Sequence, residues 1–344
     1  MAVCIWSLED GKVGSSKQAG SLARALDSAA VTKKIVYTPL IGIPNLIRPL
    51  WVGIDFKNSD NIVSVAAEEV PEVLVFAGRR SAGAALFLKK YFLSKFGKKV
   101  KLIAILNPNY NFKHFDLVIL PMHDVASGKG KTGGNVMYIN GSLCNAILPP
   151  LDSVEDYWNN ELNGSEEPFF SLMVGGDTKN SRIDPVKFGI ILEKISGYVI
   201  GRNGTLLVST SRRTSFACLE EIKEHLRCHH HLYEWSVDSH IPNPYYLFIK
   251  RSSMVFLTGD SISMVSEVAT IGKPIYVYMP SELSGKKHIR FLKNLVESGI
   301  AREIEADTNT IEKFGSSETL NELDRVSRFV KNNILNNANY VNTI

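Results

Sequence analysis

Residues 254–279, MVFLTGDSISMVSEVATIGKPIYVYM, constrain the fold of this chain more than any other stretch. The apolar run Met254 to Leu257 stops at Thr258-Gly259-Asp260, a helix-like segment continues to Gly272, and Pro274 opens a second apolar run through Tyr278. That is a strand, a helix and a strand. In a parallel α/β unit the turn after the first strand lies at the carboxyl edge of the sheet, where ligands bind and the helix offers its unbonded N–H groups. Asp260, Ser261 and Ser263 occupy this turn, with Met264 behind them, and Glu267 shares a helical face with Ser263. An acid so placed suits the hydroxyls of a ribose, at roughly 1.5 to 3 kcal/mol for a charge-assisted bond. It could equally be a solvated side chain, with Ser261 as a helix cap.

The same grammar recurs on both sides of Gly164-Ser165-Glu166-Glu167-Pro168, the best linker in the sequence. Before it, Ala2 to Leu8 reads as a strand, followed by Asp10-Gly11-Lys12-Val13-Gly14 and a helix through Gln18 to Ala29. Val73 to Phe76 is a strand that turns at Gly78-Arg79-Arg80-Ser81 into a helix, and two arginines at a helix start suit a phosphate or carboxylate. Asp116 to Leu120 leads to Pro121-Met122-His123-Asp124, where His123 or Asp124 could accept a proton, as could Asp10. Gly128-Lys129-Gly130-Lys131-Thr132 resembles a phosphate loop but has Val125 where that motif needs its first glycine, so it is expected to be a basic loop.

After the linker, Phe169 to Val174 closes on Gly175-Gly176, and Thr205 to Val208 on Ser209-Thr210-Ser211-Arg212-Arg213. Asn243-Pro244 opens a short helix ahead of residue 254. Three polar turns at one sheet edge, carrying hydroxyls, two arginines and helix N–H groups, suit a diphosphate. The expected organisation is a first α/β domain over residues 1–165, a second over 166–319, and a C-terminal helix and tail over 320–344 that crosses back to the first domain.

At 344 residues the chain is long enough for two such cores. No apolar run approaches the roughly 20 residues that span a bilayer, and Ala2 to Leu8 is too short for a signal-peptide core, so a cytoplasmic location is expected. Cys4, Cys144, Cys218 and Cys228 lack metal-type spacing, and consecutive His229, His230 and His231 alternate faces in a strand, so no metal site is expected. Residues 1–151 hold 18 Lys and Arg against 10 Asp and Glu, whereas 152–344 hold 21 against 25, so the positive charge is concentrated in the first half. Much of it lies between Lys89 and Lys101, interleaved with Phe87, Tyr91, Phe92 and Phe96. This pattern fits peripheral contact with an anionic membrane or an amphipathic helix with solvated lysines. No recognition motif for nucleic acid accompanies a net charge of +4.

The pattern S-x-x-x-V-S-E-x-A-x-x-G-K-P-x-x-V, beginning at Ser261, resembles the nucleotide-sugar half of two-domain GT-B glycosyltransferases. More closely, seven motifs in order resemble the "elongated mitochondria" mitochondrial fission protein family. They are Asp10-Gly11-Lys12 with Gly14 and Gln18, Ala77 to Ser81, Met122-His123-Asp124, Gly175-Gly176, Thr210 to Arg213, Asn243-Pro244, and Asp260-Ser261 with Ser263, Met264 and Glu267. The resemblance implies an α/β architecture of two Rossmann-like domains facing across a cleft. It also implies a nucleotide-diphosphate sugar as donor, an unidentified acceptor on the basic first domain, and no resident cofactor. The missing D-x-D pair agrees with metal-independent transfer. The other role the family implies is non-enzymatic: plant members are implicated in recruiting a dynamin-related protein partner during fission.

Overall fold

A computed structural model of the chain describes residues 3–43, 49–125, 134–146, 151–178, 182–280, 286–308, 310–315 and 318–336. The glycine- and lysine-rich loop at 128–132 lies outside these residues. The chain forms two compact units, the first comprising Met1–Cys144 and Asn321–Ile344, the second Asn145–Leu320.

The first unit contains β1 (Ile5–Glu9), α1 (Val13–Leu26), β2 (Val31–Lys34), β3 (Val73–Ala77), α2 (Gly78–Phe96), β4 (Lys101–Ile105), β5 (Leu117–Pro121) and β6 (Val136–Ile139). They build one six-stranded sheet in the order β2-β1-β3-β4-β5-β6, parallel at every pairing. Helices cover both faces, so β3 and β5 are buried along their whole length and read as unbroken apolar runs. Trp6 meets Phe92 of α2 edge-on at 5.8 Å on one face, and α2 ends at Gly97, whose φ of 65° forms a left-handed cap. The sequence places the second strand at Lys34 to Tyr37. In the structure pairing with β1 stops at Lys34, and Tyr37 instead bridges Ile54 in the antiparallel sense.

The second unit contains α3 (Asp152–Glu161), β7 (Phe169–Met173), α4 (Pro185–Ile200), β8 (Thr205–Ser209), α5 (Phe216–His225), β9 (His230–Tyr233), α6 (Tyr245–Arg251), β10 (Met254–Thr258), α7 (Ile262–Ile271), β11 (Ile275–Tyr278), α8 (Lys286–Glu297) and β12 (Ala301–Ile304). Its sheet runs β12-β11-β10-β7-β8-β9, again parallel throughout. The boundary differs from the expected linker because α3 packs here: Trp158 lies 4.9 Å from Phe248 and donates Nε1–H to the Pro242 carbonyl at 2.8 Å.

The final helix, α9 (Glu322–Val330), belongs to the first unit, where Leu323, Val326, Val330 and Ile334 join the core of Leu22, Ile103 and Ile119. Lys101 Nζ also donates to the Ile334 carbonyl. Among the described residues no helix is long and apolar enough to cross a membrane.

Each strand order contains one point where the winding reverses. In the first sheet it lies between β1 and β3, in the second between β7 and β10. Ligands of open parallel sheets bind at the carboxyl ends of such strand pairs. Asp10 to Gly14 and Gly78 to Ser81 follow β1 and β3, and Gly175-Gly176 and Asp260-Ser261 follow β7 and β10.

Candidate functional site

In the second unit the three polar turns meet on one buried carboxylate. Asp260 is 2% exposed. Its Oδ1 accepts from Thr258 Oγ1 at 2.7 Å, and its Oδ2 accepts from the Gly176 N–H at 3.0 Å. Arg213 Nη2 lies 2.8 Å from the same Oδ2. Thr258 Oγ1 in turn accepts from the Gly175 N–H at 2.7 Å. The glycines are dictated by this closeness. A Cβ on Gly175 would fall 2.2 Å from the Asp260 oxygens, and one on Gly176 would fall 2.0 Å from the Arg213 carbonyl.

The turn after β8 is laced to the same glycines. Ser211 Oγ and Thr214 Oγ1 donate to the Gly175 carbonyl at 2.7 and 2.6 Å. Thr210 Oγ1 donates to Tyr233 O at 3.2 Å and accepts from the Trp235 N–H at 2.9 Å, binding the end of β9. Ser209, at the end of β8, is buried. Asn243 is exposed and its Oδ1 accepts from the Tyr245 N–H at 3.0 Å, opening α6. Arg213, Ser211, Thr210 and Asp260 therefore hold the turns in position. Thr258 and Thr214 belong to this network, although neither was among the expected site residues. Thr258 carried a signal: it is a hydroxyl at the end of an apolar strand.

The first turn of α7 presents the outward groups. Ser261 caps the helix by accepting from the Met264 N–H at 3.4 Å, while the N–H groups of Ile262 and Ser263 have no acceptor within the helix. Met264 packs on the core, Glu267 is half-buried one turn on, and Arg212 is exposed.

A cavity of about 540 Å³ lies beside the carboxyl ends of β11 and β12, lined by Tyr278, Met279, Ile289, Lys293, Glu303 and Glu305. Burial and the negative charge of Glu305 push Glu303 up to about 7. Sequence reasoning had no signal for this cavity, because Glu303 lies on a strand that it did not recognise and Glu305 lies just past its end.

In the first unit, Asp10 is buried and its Oδ1 accepts from the Lys12 N–H at 3.1 Å and Ser15 Oγ at 3.3 Å. Gln18 Nε2 donates to the Gly14 carbonyl at 3.3 Å, and its Oε1 accepts from the Leu143 N–H at 3.2 Å. Gly11 and Gly78 have φ of 77° and 76°. His123 is buried, with Nε2 3.9 Å from Asp124 Oδ1. Strands β3 and β4 separate β1 from β5. Three spacings of about 4.8 Å put the ends of β1 and β5 roughly 14 Å apart, so Asp10 and His123 do not form one acid–base pair.

The basic stretch resolves into α2 and its exit. Phe92 is core, Lys89 pairs with Asp116 at 3.2 Å, and Lys95 donates to Tyr91 Oη at 2.8 Å. Lys90, Lys98 and Lys99 are exposed.

Two Rossmann-like units in one chain, each with a parallel sheet and one reversal of winding, define a protein of the GT-B-like α/β class. The UDP-GlcNAc 2-epimerase of Methanocaldococcus jannaschii shares this fold, with a TM-score of 0.51 over 96% of this chain and all of that one, at 12% identity. Residues 13–334 match the family described as Mitochondrial fission ELM1, and the chain belongs to that family. An uncharacterized protein, RP120, of Rickettsia prowazekii is 28% identical over 95% of this chain and 97% of its own length. The mitochondrial fission protein ELM1 of Arabidopsis thaliana is 22% identical over 72% of this chain, which spans 61% of that relative.

Proposed function

We propose that the chain binds a nucleotide-diphosphate sugar on its second unit and transfers the sugar to an acceptor without a metal ion. One observation carries the reading. The start of α7, at the reversal between β7 and β10, presents the Ile262 and Ser263 N–H groups, with Glu267 one turn deeper and exposed Arg212 in the turn after β8. Helix N–H groups with an arginine stabilise a leaving diphosphate as it gains negative charge, and Glu267 suits the ribose. The closed Asp260 network acts behind this surface and fixes the position of the turns. Of the candidate bases, His123 with Asp124 suits proton acceptance better than Asp10, whose Oδ1 already holds its own turn.

The second reading is a binding scaffold without transfer, in keeping with the mitochondrial fission name of the Arabidopsis relative. The favouring observation is that Arg213 pairs with Asp260 while Ser211 and Asp260 bond the Gly175-Gly176 backbone, so these side chains are engaged within the protein. Uridine, guanosine and cytidine diphosphates titrated against the melting transition separate the two. A nucleotide at 100 times its dissociation constant stabilises by about 2.7 kcal/mol. The transferase reading expects this shift for one base, weakened about tenfold in affinity by Arg212→Gln or Glu267→Ala. No shift with any of the three, or a shift that both variants leave intact, leaves only the scaffold.

A further inference from the structure

The reversal point of the first unit contrasts with that of the second. A Cβ added to Gly11 or Gly78 would meet nothing within 4 Å, so there is open space beside both turns. Buried polar side-chain atoms without a hydrogen-bond partner occur in the first turns of the helices that begin there. Ser81, in the first turns of the 19-residue α2, is 1% exposed and its Oγ makes no hydrogen bond. A helical Cα–Cβ bond tilts toward the N-terminus, so this hydroxyl is directed to the open end. Arg80 is half-buried with its guanidinium 5.2 Å from the centroid of the Tyr37 ring, and it makes no ion pair or hydrogen bond among the described residues. Ser16 Oγ, in the first turn of α1, is buried and equally unpartnered. The N-cap residue of α2, Ala77, supplies no side-chain acceptor for the first-turn N–H groups. Asp10 turns its Oδ1 back to Lys12 and Ser15 in its own turn.

A half-buried cation without a counter-ion and a buried hydroxyl without a partner are both costly, and they recur where a ligand completes the bonding. Here Arg80, Ser81 and the unbonded N–H groups of the first turn are donors gathered at the start of one helix, α2. That arrangement matches the three outer oxygens of a phosphate monoester better than the two of a carboxylate. We propose that this corner is a phosphate-binding site formed by Arg80, Ser81 and the first turn of α2. As the place of a phosphorylated acceptor it rests on the transferase reading; as a phosphate site it stands apart from it.

The test is calorimetric titration of inorganic phosphate into the full chain at fixed ionic strength, with melting temperature followed in parallel. The wild type is expected to bind saturably, Arg80→Gln to bind at least tenfold more weakly, and Ser81→Ala severalfold more weakly. Without phosphate, Ser81→Ala should melt at or above the wild-type temperature, since its hydroxyl has no hydrogen bond to lose, whereas Arg80→Gln loses only its stacking on Tyr37. Arg80→Gln should keep its uridine, guanosine or cytidine diphosphate response and Glu267→Ala its phosphate response, so either reading can fail alone. Co-sedimentation with phosphatidylcholine vesicles containing phosphatidic acid identifies the source. Pelleting that depends on Arg80 assigns the phosphate to a lipid headgroup, and phosphate binding without pelleting assigns it to a soluble ligand. Absence of saturable phosphate binding, equal binding by Arg80→Gln, or a lowered melting temperature for unliganded Ser81→Ala overturns the proposal.

Discussion

Asp260→Asn asks whether the carboxylate after β10 serves the fold or a ligand. Its Oδ1 accepts from Thr258, and its Oδ2 accepts from the Gly176 N–H and Arg213. Asparagine keeps one acceptor and turns the other into an NH₂ donor. If the NH₂ settles toward Gly176 and Arg213, a donor faces donors; if it settles toward Thr258, that hydroxyl must turn to accept and its own hydrogen loses its acceptor. Either way one buried group goes unsatisfied at about 1–3 kcal/mol. The ion pair goes as well. Arg213 is 34% exposed, so after solvent screening that loss adds only about 1 kcal/mol. The expected destabilisation is therefore about 2–4 kcal/mol. Hydrogen exchange by mass spectrometry on peptides covering 169–178 and 254–262 measures it, because these report the second unit without averaging over the first. Exchange in both peptides should accelerate together. A loss under about 1 kcal/mol, or strict additivity of Asp260→Asn with Arg213→Gln in a double-mutant cycle, would refute the buried network as the element that joins the turns.

Two further outcomes follow from the same coordinates. Gly176→Ala places a Cβ 2.0 Å from the backbone carbonyl of Arg213, which cannot yield as a side chain would, so exchange in 174–178 should rise by at least tenfold, whereas Gly78→Ala, with open space beside it, meets backbone strain alone. Glu303 is raised from 4.5 to about 7, so the folded state holds its proton while the unfolded chain has released it; the resulting stability is complete below about 4.5 and is lost as pH rises through 7. Unscreened, that displacement is worth roughly 3.4 kcal/mol, and the half-exposed position reduces it to about 1–2 kcal/mol. Glu303→Gln should flatten the fall in stability between pH 4.5 and 7, as read by urea unfolding at stepped pH; an unchanged slope would show that Glu303 titrates normally.

The elements that sequence resolved well are those whose burial leaves no alternative. β3, β5, β7, β8 and β10 are covered on both faces, so each is a short apolar run that pattern alone can locate. β12 escaped because Arg302 and Glu303 interrupt it; as an edge strand it buries only Ala301 and Ile304. The unit boundary escaped for another reason. Gly164 to Pro168 has linker composition, yet the preceding helix carries Trp158, whose ring and N–H find their partners more than 80 residues later in the chain. Of the candidate site, the three turns were legible as polar breaks after apolar runs. Which arginine would meet which acid was not, since Arg213 and Asp260 come together only through the order β10-β7-β8.

That order also separates the roles of two similar-looking sets of residues. Glycine turns and hydroxyls occur at the reversal point of each sheet, with paired arginines there in the first and on the neighbouring turn after β8 in the second, and composition alone assigns both to an anion. In the second unit the protein supplies the anion itself: Asp260 sits where a Cβ on Gly175 would fall, and Arg213 neutralises it. A ligand phosphate placed on the Gly175-Gly176 turn would have to displace a carboxylate with three donors, which leaves the start of α7 as the better phosphate position in this unit. Among the described residues of the first unit Arg80 has no acid partner, its guanidinium resting over the Tyr37 ring, and the Ser81 hydroxyl makes no hydrogen bond. The same motif chemistry thus closes one corner of the protein on itself and leaves the other open, and an anion from outside has more to gain at the open one.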